Sequence, residues 1–152
     1  METVEQPKIR HKTFSYQTTL KWVGGKAGTL GSEGKHSFRV ASPPEFKGEA
    51  GVWTPEDLMV GAVEVCHLTT FMAFAQKKQL PLISYESKAT GILEFIDGDY
   101  RISRIIVSPR IVVSATVTEA EVYSLLRESH KHCIVSNSIN SIVEVNPTVL
   151  FQ

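Results

Sequence analysis

Between Thr54 and Pro81 the chain spells out a helix with almost no polar side. Thr54 is a good N-cap, and Pro55 fits the first helical position, where its missing N–H costs nothing. Glu56 and Asp57 place negative charge at the positive end of the helix dipole. Leu58, Met59, Val60, Ala62, Val63, Val65, Leu68, Phe71, Met72 and Phe74 follow, and Pro81 halts a helix expected to run to about Gln79. A helix that is apolar nearly all round must be covered on several sides. A chain of 152 residues offers two ways to do so: wrapping the helix in sheet, or packing it on a second copy.

The remaining segments alternate or turn in ways that suggest strands around this helix. Residues 12–23 put Phe14, Tyr16, Thr18, Leu20 and Trp22 on one side, as a half-buried strand would. Gly24-Gly25-Lys26 breaks that run, and residues 29–31 and 36–41 read as further short strands. Residues 42–53 read as a loop. Residues 82–96 and 100–114 form two long strand patterns joined at Asp97-Gly98, a strong hairpin signal. Pro109 interrupts the second, which predicts an edge position or a bulge. Thr118 and Glu121 form a capping box that opens a second helix, with Val122, Leu125, Leu126 and Ser129 on one face, ending near Cys133. A last strand spans about 142–151. Strands and helices do not alternate strictly, so the expected class is α+β, a single domain with a mostly antiparallel sheet.

Composition narrows the function classes. Lys plus Arg and Asp plus Glu number 16 each, so net charge supplies no attraction to nucleic acid or to an anionic membrane. The polar start, Met1 to Lys8, lacks the apolar stretch of a secretory signal, and no apolar run long enough to span a bilayer is free of charge. A cytoplasmic location is therefore expected. There the two cysteines, Cys66 and Cys133, are not expected to form a lasting structural disulfide. Buried thiols, a metal site and a redox couple remain open.

Cys66 lies within the apolar helix, in Glu64-Val65-Cys66-His67. Cys133 follows His130-Lys131-His132, a basic run that would favour a thiolate, although a helix C-terminus opposes one. Glu64 and His67 are three apart and could line a pocket beside Cys66, but read first as the wetter edge of the helix. Cys66, His67, His130, His132 and Cys133 include donors suited to zinc, but no standard short zinc spacing, so no metal or other cofactor is expected. Phe71, Met72 and Phe74 read as core. Phe71 and Met72 are also near enough to Cys66 to be candidates for cradling an organic substrate's tail.

The run Thr54-Pro55-Glu56-Asp57-Leu58-Met59-Val60-Gly61-Ala62-Val63-Glu64-Val65-Cys66, followed much later by Cys133-Ile134-Val135-Ser136, resembles the signature of the OsmC/Ohr family, the osmotically inducible and organic hydroperoxide resistance proteins. Two marks carry the likeness: a cysteine ten places after a Pro-Glu pair's acid, and a Cys-x-x-Ser before the last strand. The resemblance implies an intertwined homodimer with two long central helices. It also implies a cysteine-based peroxidase acting on organic hydroperoxides or hydrogen peroxide. Cys66 would be the peroxidatic residue, Cys133 the resolving one, and a dithiol such as dihydrolipoamide the reductant. Family members hold an arginine with the glutamate that matches Glu56. Here Gly24-Gly25 is followed by Lys26, and Glu45 precedes Phe46-Lys47-Gly48, so Lys26, Arg39 and Lys47 are the candidate cations. Ile134 stands where proline is common. The rival readings are a non-catalytic dimer that binds an apolar ligand or senses redox state, and a zinc protein.

Glu56 and Cys66 on one straight helix are ~15 Å apart at ~1.5 Å rise per residue. They share a site only if the helix bends or if two copies of it cross antiparallel near Gly61, bringing residue 56 of one beside residue 66 of the other; otherwise Glu56 is simply a first-turn helix acid.

Overall fold

In a computed structural model, which describes residues 11–152, the chain divides into two compact units, one ending at Val52 and one spanning Trp53–Gln152. The polar opening segment, Met1 to Lys8, lies outside the described residues.

The first unit carries three antiparallel strands in the order β1 (Thr19–Gly24), β2 (Ala27–Gly31) and β3 (Phe38–Ala41). Gly24 and Gly25 both have positive φ and make the turn before Lys26. The first strand is shorter than the alternation over 12–23 suggested. Its expected inner face is open: Phe14, Tyr16, Leu20 and Trp22 are all exposed. Alternation makes a strand two-sided, but a side is buried only where another layer covers it. The expected loop contains a short 3-10 turn, Pro44–Phe46, closed by Lys47 in the left-handed region at φ 60. Gly48 then passes so near Ser42 that a Cβ there would sit 1.6 Å from the Ser42 carbonyl oxygen.

The second unit holds the long helix α1 (Pro55–Lys77), the hairpin β4 (Leu82–Ile96) and β5 (Asp99–Val113), helix α2 (Glu119–Lys131), and the short strands β6 (Ile142–Val145) and β7 (Thr148–Phe151). Both helices begin as expected. Thr54 caps α1 and Thr118 caps α2, each in a reciprocal box, with Asp57 and Glu121 respectively. The hairpin turns on Asp97 and Gly98, with φ of 53 and 87, the pair of positive values that a tight two-residue connection needs.

The last strand splits in two and joins β5 in parallel, so this sheet is mixed. The expectation for Pro109 is corrected. It lies neither on an edge strand nor at a bulge, for β5 is paired on both sides, and the irregularities fall at Leu82/Ser84 and Ile92/Leu93. Instead, β6 covers β5 up to Val107 and β7 resumes from Arg110 in the same register. Pro109 and Pro147 fall together in that gap, where no ladder hydrogen bond is lost.

One core cluster joins Phe71 and Ala75 of α1, Ile111 and Val113 of β5, and Val122, Leu125 and Leu126 of α2. A second joins Val63 to Ile105 and Val107. The face expected for α2, ending in Ser129, is the buried one. On α1 only the stripe Val63, His67, Phe71 and Ala75 is buried, at a spacing of four. Its opposite side is open, with Val65 59% exposed. By length and composition α1 could cross a membrane, but here it packs on β4, β5 and α2. Contact with the sheet is close at Gly91, where a Cβ would stand 2.5 Å from Val60 Cγ2.

Candidate active site

Cys66 sits in the middle of α1, partly exposed, with the Thr70 hydroxyl one turn on at 3.9 Å from its sulfur. Cys133 comes from the other side. Helix α2 ends at His132, and the chain then coils through one further turn: Asn137 N–H donates to the Cys133 carbonyl at 3.0 Å and Ser138 N–H to that of Val135 at 3.0 Å. The first N–H groups of such a turn have no partner within it. Those of Val135 and Ile134 favour the ionised form of Cys66. Cys133 itself is fully buried, and both cysteines are free thiols.

The two thiols influence one another's ionisation, and their environments pull their pKa values apart. Burial raises Cys66, but the Val135 N–H, the Cys133 thiol, the Thr70 hydroxyl and the Ile134 N–H together outweigh it, and the net shift is downward. For Cys133 burial wins. It is helped by the neighbouring Cys66 and only partly offset by the hydroxyl and N–H of Ser136, so its thiol is pushed up. Cys66 is the more readily ionised of the pair and Cys133 the less. The basic run before Cys133 does not reverse this. His132 is exposed, 3.6 Å from Glu128, and His130 stacks on His67 with ring centroids 5.3 Å apart.

His67 and Ser136 complete the cluster. The Ser136 hydroxyl donates to Cys133 Sγ at 3.1 Å, and its oxygen lies 3.1 Å from His67 Nε2. His67 is only 4% exposed, so its reading as part of a wet helix edge is corrected. Burial, with the His130 ring beside it, lowers its pKa to about 4 and keeps it neutral. Glu64 does not meet it: its carboxylate accepts from Ser87 of β4 at 2.5 Å. A place for His67 beside Cys66 is the lesser of the two sequence readings, although its spacing of four from Val63 and Phe71 puts it on the buried stripe.

The other expected residues are dispersed. Glu56 lines a cleft of about 410 Å3 with Trp53, Gly61, Glu64 and Gly91, and its Oε2 is buried with no hydrogen-bond partner. It is on the continuous helix α1 and does not share a site with its own chain's Cys66. Lys26, Arg39 and Lys47 belong to the first unit. There Lys26 donates to the Phe46 carbonyl at 2.7 Å, Arg39 forms a two-pronged bond to Glu49 at 2.9 and 2.5 Å, and Lys47 is exposed. Phe71 is sealed in the core, 1% exposed, so it offers no open wall to a substrate. Met72 packs on the same cluster and stays partly open. Among the described residues no three His, Cys, Asp or Glu side chains gather as a metal site.

This arrangement, with one thiol lowered and the other raised in pKa, sits within a span that matches a known family. The model for OsmC-like protein covers residues 48–148, well over half of the chain. The chain belongs to the OsmC-like family. YmaD of Bacillus subtilis is 23% identical over 129 residues, spanning 82% of this chain and 85% of that protein. An OsmC-like protein of Vibrio cholerae has the same fold, with a TM-score of 0.83 at 20% identity over 90% of this chain and all of that one. An organic hydroperoxide resistance protein of Elizabethkingia anophelis superposes with a TM-score of 0.75 at 20% identity, over 94% of this chain and all of that one. The OsmC-like span includes Glu56, Cys66 and Cys133, and the α+β architecture expected from the sequence is that of these relatives.

Proposed function

We propose that this OsmC-like protein is a two-cysteine thiol peroxidase for organic hydroperoxides or hydrogen peroxide. The observation that carries the reading is the opposed pair of thiols, one lowered and the other raised in pKa, each acting on the other. The Cys66 thiolate attacks the terminal oxygen of the hydroperoxide. The O–O bond breaks, the alkoxide leaves and takes a proton from solvent, and Cys66 becomes a sulfenic acid. Cys133 then attacks the Cys66 sulfur, its proton joins the departing hydroxyl as water, and a disulfide forms. A dithiol of the dihydrolipoamide kind returns both thiols, taking the disulfide onto itself. No cofactor enters this cycle, and a reducing cytoplasm suits it.

The working unit in this proposal is a homodimer, with both units of the chain serving one OsmC-like domain. Support comes from α1, whose open side carries Ala62, Val65, Thr69 and Ala73, and whose Gly61 has no neighbour within 4 Å of a would-be Cβ. Two such helices can approach closely. Crossing antiparallel near Gly61, they would bring Glu56 of one copy beside Cys66 of the other. The unpartnered Glu56 Oε2 then calls for a cation, for which Lys26, Arg39 and Lys47 are the candidates. Ile134, 74% exposed with its N–H favouring the ionised Cys66, and Met72 are the apolar groups proposed to meet a substrate tail.

A second reading, a redox-sensing dimer without turnover, is favoured by the neutral character of the donors around Cys66. Peroxide consumption tests both. The expected result is repeated turnover with a dithiol in the native protein, none in Cys66→Ser, and one equivalent with a trappable sulfenic acid in Cys133→Ser. Consumption unchanged in Cys66→Ser would dismiss both readings. A single equivalent in the native protein, even with dithiol, would select the sensor.

A further inference from the structure

The sulfur chemistry above uses the thiols and the N–H groups around them, yet the buried His67 and its link to Ser136 have no part in it. The geometry gives these groups a common direction. The Ser136 hydroxyl donates to Cys133 at 3.1 Å, so its oxygen is free to accept from His67 Nε2, also at 3.1 Å. Cys133 in turn is among the groups that lower the Cys66 pKa, as a donor to its sulfur would. Each donor in such a row polarises the next.

We propose that His67 and Ser136 are positioning residues for the thiol pair. His67 Nε2–H donates to Ser136, Ser136 O–H to Cys133, and Cys133 S–H to the Cys66 sulfur, in one row of donors ending on the thiolate. This rests on the two-thiol reading and deepens it. In the reduced protein the row stabilises the Cys66 anion by neutral donors. Once Cys66 is a sulfenic acid, its negative charge is gone. Cys133 gives its proton to the departing oxygen, and the Ser136 hydroxyl, still aimed at Cys133 Sγ, steadies the charge that develops there. The same two residues thus serve both half-reactions. His67 remains neutral throughout and stores no proton.

Other titratable groups face this row from each packed element. His130 of α2 stacks on the His67 ring. On the β4 side, α1 turns Glu64 toward Ser87 and Tyr85, away from His67.

The test is the pH dependence of alkylation at Cys66, read by peptide mass, which needs no peroxidase activity. His67→Leu and Ser136→Ala are each expected to raise the pH midpoint and slow alkylation near neutrality by about threefold to tenfold, the size of one ordinary hydrogen bond. His67→Gln, whose side-chain amide can donate from a similar position, is expected to restore most of the loss. In a Cys133→Ala background, where the row is cut, His67→Leu should shift the Cys66 midpoint no further. Ser136→Ala removes one small, half-buried oxygen and guards against a folding failure of His67→Leu. An unchanged midpoint in Ser136→Ala, or a full His67→Leu effect without Cys133, would overturn the proposal. Loss of peroxide turnover with these midpoints behaving as expected would instead reject the peroxidase reading and leave the row standing.

Discussion

The Ser136 hydroxyl, on a turn 69 positions further along the chain, hydrogen-bonds the His67 ring of α1 at 3.1 Å. Neither residue's neighbours in sequence make this bond. The turn after α2 delivers Cys133 and two backbone N–H groups to the side of α1 together. The bond is therefore as secure as the packing of α1 on α2, which rests on Phe71, Ala75, Val122, Leu125 and Leu126.

Selective modification follows from the opposed shifts. A small alkylating agent at neutral pH should modify Cys66 at least about tenfold faster than Cys133, because thiolate fraction and access both favour it. Peptide mass analysis after short exposure checks the order. Equal labelling would contradict the assignment of Cys66 as the more readily ionised member.

Acid should weaken the fold through His67. Burial holds its pKa at about 4, against an ordinary 6.5. Below pH ~6.5 the unfolded chain takes up a proton that the folded chain refuses until about pH 4, so stability is intact above that window and falls through it. Allowing for solvent screening, the loss is on the order of 1–2 kcal/mol. Denaturant midpoints at pH 7.5 and 4.5 should differ less in His67→Gln than in the native protein. Parallel shifts in the two proteins would remove His67 as the cause.

Crowding at the helix–sheet contact gives a third prediction. Gly91→Ala places a methyl against Val60 Cγ2 and should cost about 1–3 kcal/mol. Val60→Ala in the same chain should recover part of that loss. Thermal unfolding of the single and double variants measures the coupling, and strict additivity would mean the two sites do not press on one another.

The open face of α1 yields a fourth. Val65→Lys should convert a dimer to monomers in light scattering, since a charge would sit in the proposed helix crossing. Thr116→Lys, at an exposed position away from α1, should leave the assembly unchanged. A native protein that is monomeric at micromolar concentration would end the dimer reading.

Much of the backbone plan was legible beforehand. Thr54, Pro55, Thr118 and Glu121 act within one helical turn, and Asp97-Gly98 within one hairpin, so their signals are local and survive any tertiary context. The β4 boundaries match the expected 82–96, and the buried face of α2 is the one its periodicity marks. Pro109 was misjudged because its cost depends on what lies opposite, and the gap between β6 and β7 was not visible in β5 itself. His67 was misjudged for a related reason. Its immediate neighbours are mixed in polarity, while the Ser136 that satisfies it lies 69 residues away.

By itself, the sequence determined where helices begin, where the hairpin turns, and that Cys66 and Cys133 occupy the positions of an OsmC-like signature. Those features depend on contacts within a few residues, whose energies are set by local geometry. Only the tertiary structure decided which thiol ionises more readily, that His67 is buried and neutral, and that the final strands run parallel to β5. Each of those outcomes is set by desolvation and by donors brought in from distant segments, quantities that exist only once the helices have packed.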